Sequence, residues 1–181
     1  MTSIRERFLD AASKRILITD GAFGTEIQNW KLCEADYMGD LALAKDAKGN
    51  NDILALTKPD VPDTITRAYF DAGSDIVSTN TFSANKISQA DYAAEHLVRE
   101  INVASAQIAR KAADEYEAKD GRPRFVAGAI GPTNKTLSLS PDVNDPGYRE
   151  IDFDYLKDVY REQVHANSKE WPKWPFSGLC C

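Results

Sequence analysis

The chain has 181 residues, 43% hydrophobic and 28% charged, and this composition indicates one globular domain rather than a disordered segment. Its formal net charge of −6, from 28 acidic and 22 basic residues without a basic cluster, excludes a nucleic-acid backbone as partner. No apolar run approaches the roughly 18 residues of a transmembrane helix, and the N-terminus lacks a signal-peptide pattern. We therefore expect a cytoplasmic protein without a membrane partner.

Three short apolar runs predict buried parallel strands. They cover residues 16–19, 75–79 and 124–130, and polar residues hardly alternate with apolar ones in them. This pattern is typical of strands that helices cover on both faces of a sheet. Helical patterns lie between the runs, and the alternation of strand and helix predicts an α/β fold with a parallel sheet.

Four helices are predicted in chain order, together with a short one around residues 88–95. The first spans about residues 4–12. The second begins at Asp60, which is expected to cap it, and ends before Gly73. Its predicted apolar stripe consists of Ile65, Ala68, Tyr69 and Ala72. The third covers about residues 96–118, with one apolar face formed by Leu97, Ile101, Ala104, Ile108, Ala112 and Tyr116. The fourth is capped by Asp152, and its inward residues are predicted to be Phe153, Leu156, Val159 and Val164.

The periodic pattern ends after residue 166. Residues 167–181 contain two tryptophans and two prolines without a usable period, and proline removes a donor that a buried strand needs. We therefore predict a folded domain over residues 1–166 and an irregular tail over residues 167–181.

Ligands of parallel β/α folds bind at the C-terminal ends of the strands. Asp20 follows the first predicted strand and is a candidate partner for a cationic group, such as a substrate ammonium. Asn80 follows the second and could orient a ligand through its amide. The structural alternatives are a turn aspartate before Gly21, a loop asparagine bonded to its own backbone, and a tight turn at Gly131.

The histidines and cysteines offer weaker candidates. His96 and His165 fall on predicted helices away from the strand ends, which favours structural roles. Cys33 is isolated in the sequence. Cys180 and Cys181 are adjacent, and two thiolates can share a soft metal such as zinc. They are weak candidates because adjacent cysteines at an irregular terminus are more often incidental, so no metal site is assigned.

Several strings resemble a known family. Residues 17–28, 48–59, 68–77, 79–82 and 126–134 resemble the homocysteine S-methyltransferase domain. Residues 29–51 and the string Ser140–Pro146 are similar to the cobalamin-dependent branch of that family, the methionine synthases. The resemblance covers roughly residues 15–166.

The resemblance implies a parallel (β/α)8 TIM barrel, of which this chain holds about the first three β/α units. It implies homocysteine as substrate, which is methylated to methionine. Methylcobalamin supplies the methyl group and methyltetrahydrofolate regenerates it, both on further modules of the full enzyme. Zinc, held by cysteines late in the barrel, binds the substrate sulfur, because a soft cation favours the thiolate.

Carried over residue by residue, the resemblance gives substrate-binding positions but no catalytic residue. Asp20 with Gly21 matches the position that helps hold the substrate amino group. Asn80 and Thr81 match the second-strand loop that lines the pocket, and Gly131 begins the third matching loop. The family's fourth-strand acid and its zinc cysteines have no counterpart in this sequence.

We therefore expect a truncated homocysteine-binding domain that is inactive alone and binds neither zinc nor cobalamin. One alternative is a cobalamin-independent homocysteine S-methyltransferase that uses a sulfonium or betaine donor. Another is a non-enzymatic product of a truncated or frameshifted gene, favoured by the break in pattern after Ala166.

Overall fold

The computed structural model describes residues 3–168, which form a mixed α/β structure that is mostly helical and contains a small parallel sheet. Its strands are β1 (Ile76–Ser78) and β2 (Phe125–Ala127). Short 3-10 helices cover Asn51–Ile53, Ala90–Tyr92 and Glu95–Leu97. The α-helices are α1 (Ile4–Lys14), α2 (Phe23–Asn29), α3 (Glu34–Met38), α4 (Leu54–Thr57), α5 (Asp60–Asp71), α6 (Lys86–Gln89), α7 (Val98–Asp120) and α8 (Phe153–Ser168).

The three predicted strand segments lie side by side in chain order. β1 and β2 pair in parallel, with Val77 opposite Val126. The first segment forms only an isolated parallel bridge, between Thr19 and Ile76. There the Asp20 amide donates to the Ile76 carbonyl over 2.9 Å, and the Ile76 amide donates to the Ile18 carbonyl over 3.1 Å. The ends of all three segments therefore face the same edge of the sheet.

The first predicted strand is not buried as its apolar residues suggested. Ile16 is 88% exposed and Ile18 is 59% exposed. Within residues 3–168, β1 is the only strand that pairs with this segment. Hydrophobic side chains are buried only where another element covers them, so the apolar run alone could not predict burial here.

Helix α5 forms where predicted, but its cap and its buried face differ. Pro59 occupies the N-cap and Asp60 lies in the first turn, so the predicted Asp60 cap is wrong. Gly73 follows the helix with a φ of +105°, a conformation that suits glycine. The buried face consists of Val61, Pro62, Ile65, Thr66 and Phe70. Of the predicted stripe only Ile65 is fully buried, while Ala68 and Ala72 are exposed.

Helix α7 packs against α5 and α8 through a face of small side chains. It contains the predicted Ile101 and Ala112, but its other buried alanines, Ala106, Ala109 and Ala113, lie outside the predicted stripe. Small residues allow close approach to the sheet, and a search for large apolar residues overlooks them. Gly121 ends the helix in the left-handed conformation.

Helix α8 also begins as predicted. The Asp152 carboxylate accepts a hydrogen bond from the Tyr155 amide over 2.7 Å, which satisfies a donor of the first turn. Val159 is buried with Ile87 and Ile151. Phe153, in contrast, is 68% exposed, so its predicted inward position is wrong.

Two apolar clusters support the sheet edge from different sides. One lies between the sheet and helices α5 and α7, and includes Phe70, Val77, Ala109 and Val126. The other joins the segments before β1 to α7 and includes Ile27, Tyr37, Ile53, Leu54, Val61, Ile65 and Ile101. None of the helices in the described residues combines the length and apolarity needed to span a bilayer.

Candidate functional site

A cavity of about 930 Å³ opens at the C-terminal ends of the strand segments. Its lining residues come from within the segments 19–24, 49–52, 76–83, 88–92 and 127–134, and Thr81 and Gly131 are not among them. Among the described residues, the acidic side chains in these walls are Asp20, Asp52 and Asp91, and none of the lining side chains is basic. The cavity therefore favours a ligand with a positively charged group.

Asp20 lies at this edge, at the end of the first strand segment. Its Oδ2 accepts a hydrogen bond from the Ser78 amide over 2.6 Å, and its Oδ1 accepts one from the Ser78 hydroxyl over 3.0 Å. Partial burial raises the pKa of Asp20, although the two hydrogen bonds from Ser78 oppose that effect. β1 thus fixes the orientation of the carboxylate, and free lone pairs on both oxygens can accept from a ligand.

The predicted residues Gly21 and Asn80 also line the cavity. An added Cβ on Gly21 would only reach ordinary contact with Tyr69, at 3.4 Å, so space alone does not require glycine there. The Asn80 Nδ2 donates to the Asn51 carbonyl over 2.7 Å. The Asn80 amide is therefore already bonded to the opposite wall.

Thr81 and Gly131, also predicted, lie behind the cavity wall rather than on it. Thr81 is fully buried, and its hydroxyl donates to the Ala129 carbonyl over 2.8 Å. The Gly131 amide donates to the Phe82 carbonyl over 2.9 Å, and a Cβ there would lie 2.5 Å from that oxygen. Both residues join the loops after β1 and β2, so their placement indicates support rather than direct contact with a ligand.

Sequence reasoning missed the wall formed by residues 49–52. Asp52 is 5% exposed and accepts a hydrogen bond from the Ser83 amide over 2.9 Å. Burial raises the pKa of Asp52 to about 7, against the lowering effect of that hydrogen bond. Asn50 and Gln89 pair through both side-chain amides, over 2.7 and 3.0 Å.

A search restricted to strand ends could not find this wall, because it precedes α4 rather than following a strand. The available signal was three consecutive polar side chains, Asn50, Asn51 and Asp52, directly before an apolar helix. Polar groups at such a position need buried partners. The loop after β1, through Asn80 and Ser83, and helix α6, through Gln89, supply them.

Residues 3–168 do not supply a zinc site. They contain no group of three His, Cys, Asp or Glu side chains placed to hold a metal ion. Cys33 is exposed, and its thiol donates to Asp36 over 3.2 Å away from the cavity lining. His96 and His165 lie on helical segments and do not line the cavity. The weak candidates Cys180 and Cys181 lie outside the described residues.

The family model of the homocysteine S-methyltransferases matches residues 17–171. Among solved structures, the chain is similar to the Escherichia coli homocysteine methyltransferase MmuM. For the metallated form the TM-score is 0.64 at 20% identity, with 88% of this chain and 52% of that chain covered. For the oxidized form it is 0.65 at 20% identity, with 89% and 52% covered.

The apo form of the same protein gives a TM-score of 0.54 at 21% identity, with 86% of this chain and 46% of that chain covered. The chain thus spans about half the length of these structures, and at this identity the likeness concerns the fold. The family match covers most of the sequence, from the first strand segment into α8 and beyond. The chain belongs to the homocysteine S-methyltransferase family.

Proposed function

We propose that this chain is the homocysteine-binding part of a cobalamin-dependent methionine synthase. In this proposal residues 1–166 form the first three β/α units of a (β/α)8 barrel. The observation that carries it is the cavity at the strand ends, where the Asp20 carboxylate is fixed by Ser78 and no described basic side chain lines the walls.

Homocysteine would enter as an amino acid with a positive ammonium and a negative carboxylate. Asp20 pairs with the ammonium, because opposite charges in a partly desolvated site attract more strongly than in water. The substrate carboxylate cannot pair with a basic side chain of the described walls, so we assign it to backbone N–H groups and side-chain amides. Apolar side chains such as Phe23, Ile76 and Phe82 line the same cavity and suit the methylene chain.

The parent reaction forms a bond between the homocysteine sulfur and a methyl carbon while the bond between that carbon and its donor breaks, and the thiol proton is lost. The described residues do not fit zinc, so no step is assigned to a metal here. Cobalamin and methyltetrahydrofolate belong, in this proposal, to other modules. The contribution of this chain is to hold the amino-acid end of the methyl acceptor.

The choice of the cobalamin-dependent branch is supported by the string Ser140–Pro146 and by residues 29–51. In the structure, the Ser140 hydroxyl bonds the carbonyls of Asp142 and Asp145 over 2.9 and 2.6 Å, which closes an exposed turn. The turn follows the cavity loop of residues 131–134. A surface turn at this place suits contact with a further module that delivers the methyl group.

Binding of L-homocysteine to the purified chain, measured by calorimetry under reducing conditions, tests this function. The Asp20→Asn variant keeps the local geometry, because its Oδ1 can accept from the Ser78 amide while its Nδ2 donates to the Ser78 hydroxyl. We expect it to weaken binding at least about tenfold through loss of the charge pair. The exposed Asp40→Asn serves as a matched control. Equal binding by the wild type and Asp20→Asn would contradict the proposal.

A further inference from the structure

Asp52 is a buried carboxyl group to which the mechanism above gives no role. Its side chain lines the same cavity as Asp20 and is 5% exposed. Its Oδ1 accepts the hydrogen bond from the Ser83 amide, and no side chain within residues 3–168 donates to its Oδ2. No basic side chain of the described residues lines the cavity to neutralise the charge.

An asparagine would serve the fold better at this position. Its Oδ1 would accept the same hydrogen bond from the Ser83 amide, and no charge would have to be buried. Burial raises the pKa of Asp52 to about 7, so the ionised form destabilises the folded chain at neutral pH. A carboxylate that lines a cavity and reduces the stability of the fold is typical of a group that binds a ligand or takes part in a reaction.

The charged and titratable groups around Asp52 indicate which charge a ligand group beside it would carry. Asp20 and Asp91 line the same cavity, and both add negative charge. Tyr92 lines it as well, and burial raises the pKa of its hydroxyl, which therefore stays neutral near pH 7. The walls formed by the described residues supply no positive charge to pair with ionised Asp52, and a cationic group of a ligand would supply it.

We propose that Asp52 is a specificity-determining residue of this site, whose carboxylate acts with that of Asp20 to select ligands carrying a positively charged ammonium group. The proposal rests on the proposed homocysteine-binding function and deepens it. The hydrogen bond from Ser83 holds Asp52 to the loop that carries Asn80 and Phe82. Through this bond the charge is fixed in the wall opposite the strand ends.

Two probes separate charge selection from general binding. L-homocysteine carries the ammonium group, whereas N-acetyl-L-homocysteine is uncharged at that nitrogen. The affinity of the wild-type chain for homocysteine should rise between roughly pH 6 and pH 8 as Asp52 ionises, and its affinity for the acetylated compound should not. In Asp52→Asn we expect the rise to disappear and homocysteine binding to weaken about tenfold at the upper end.

Thermal unfolding of the same proteins provides an independent measurement. The raised pKa of Asp52 means that the folded state loses stability as pH rises from the ordinary carboxyl range towards 7. Asp52→Asn should therefore be more stable than the wild type at pH 8 (roughly one unit above that pKa), although it binds homocysteine less well. The exposed Asp46→Asn should change neither measurement. Asp52→Ala removes the acceptor for Ser83 and should weaken binding of both probes.

The outcomes distinguish this inference from the function on which it rests. If the wild type binds homocysteine and Asp52→Asn binds it equally well with the same pH profile, only the role of Asp52 is overturned. If the wild type binds neither probe, the proposed function is overturned and this inference with it. A loss in Asp52→Asn that is equal for both probes would overturn charge selection and leave homocysteine binding intact.

Discussion

At the scale of single residues, Gly131 shows how little room separates the two loops of the site. Its amide donates to the Phe82 carbonyl, and a Cβ would lie 2.5 Å from that oxygen and 2.6 Å from the Phe82 ring. The ring is 55% exposed and can move, but the carbonyl belongs to the backbone. The loop after β2 can approach the loop after β1 this closely only because residue 131 has no side chain.

We therefore expect Gly131→Ala to reduce the free energy of unfolding by about 1–3 kcal/mol, the usual effect of forcing an extra methyl group into a packed site. Denaturant unfolding measures the change. Gly24→Ala is the matched control, because a Cβ there lies 3.8 Å from the nearest side-chain atom, Asn51 Nδ2. If Gly131→Ala were as stable as the wild type, the two loops could move apart without a loss in the free energy of unfolding.

Asp75 is the second residue whose substitution should change the stability of the fold. It is fully buried at the N-terminal end of β1, where it pairs with Arg15 and Arg122 and accepts a hydrogen bond from the Ile18 amide over 3.0 Å. Burial alone would raise its pKa, but the hydrogen bonds from Arg15 and Ile18 outweigh burial and lower it. Its ionised form therefore stabilises the fold.

Asp75→Asn should lower the free energy of unfolding by about 2 kcal/mol at neutral pH, the size of a hydrogen bond to a charged group. Because the pKa of Asp75 is lowered in the folded state, this contribution is present above the ordinary carboxyl pKa and is lost as pH falls through the folded value. Denaturant unfolding at pH 7 measures the loss of stability, and unfolding at acidic pH shows whether the difference between wild type and variant disappears. Asp154→Asn, which removes an exposed pair with Lys157, should change stability little.

The site residues differ in how visible they were in the sequence. Asp20 and Asn80 could be predicted as cavity residues because each directly follows an apolar run, and parallel strands end at one edge. Thr81 follows the same strand as Asn80, but its side chain is buried. In a regular strand neighbouring side chains point to opposite faces, whereas an irregular loop has no such rule from which burial could be predicted. Asp52 could not be found from strand ends, because its partner Ser83 lies 31 residues away in the chain.

At the scale of elements, helix α1 is defined by its own first turn. Ser3 and Glu6 form a reciprocal capping box, with the Ser3 amide donating to Glu6 over 2.7 Å and the Glu6 amide donating to Ser3 over 3.2 Å. The helix contacts the sheet through Phe8, whose ring meets that of Phe125 edge-on at 5.2 Å. An ion pair between Arg7 and Glu117 ties α1 to α7.

Ser3→Ala should reduce the free energy of unfolding by about 1 kcal/mol through loss of the cap. Ser13→Ala is the control, since Ser13 lies inside the helix and its hydroxyl donates to the Asp10 carbonyl three positions earlier. Chemical denaturation and far-UV circular dichroism measure stability and helix content together. Equal losses in the two variants would show that the capping box contributes nothing specific.

The positions of the helices could be predicted more closely than their buried faces. The predicted helix of about residues 96–118 corresponds to α7, with a shift of two residues. It could be predicted because the helical pattern of apolar residues continues over several turns. Half of its buried residues are alanines, to which a hydrophobicity pattern gives little weight. The strand segments were found as apolar runs, but the exposure of Ile16 depends on what covers it in three dimensions.

At the scale of the whole molecule, we expect the purified chain to bind no stoichiometric zinc and to methylate no homocysteine. A tetrahedral zinc site needs about four ligands, and the described residues contain no group of three His, Cys, Asp or Glu side chains placed to hold a metal ion. Metal analysis after dialysis and a methyl-transfer assay measure these outcomes. One tight zinc per chain, lost in the Cys180→Ser/Cys181→Ser variant, would show that the terminal thiols bind metal.

The order of the cavity walls along the chain has a consequence for synthesis on the ribosome. Among the described residues, the cavity lining falls between Thr19 and Asn134. Helix α8 comes later; its Gln163 donates to the Thr81 carbonyl over 2.7 Å, and its Tyr160 donates to the Gly131 carbonyl over 3.1 Å. During vectorial translation the walls therefore emerge before the helix that fixes them. Until α8 has left the exit tunnel, the nascent site lacks the two hydrogen bonds that Gln163 and Tyr160 add to its loops.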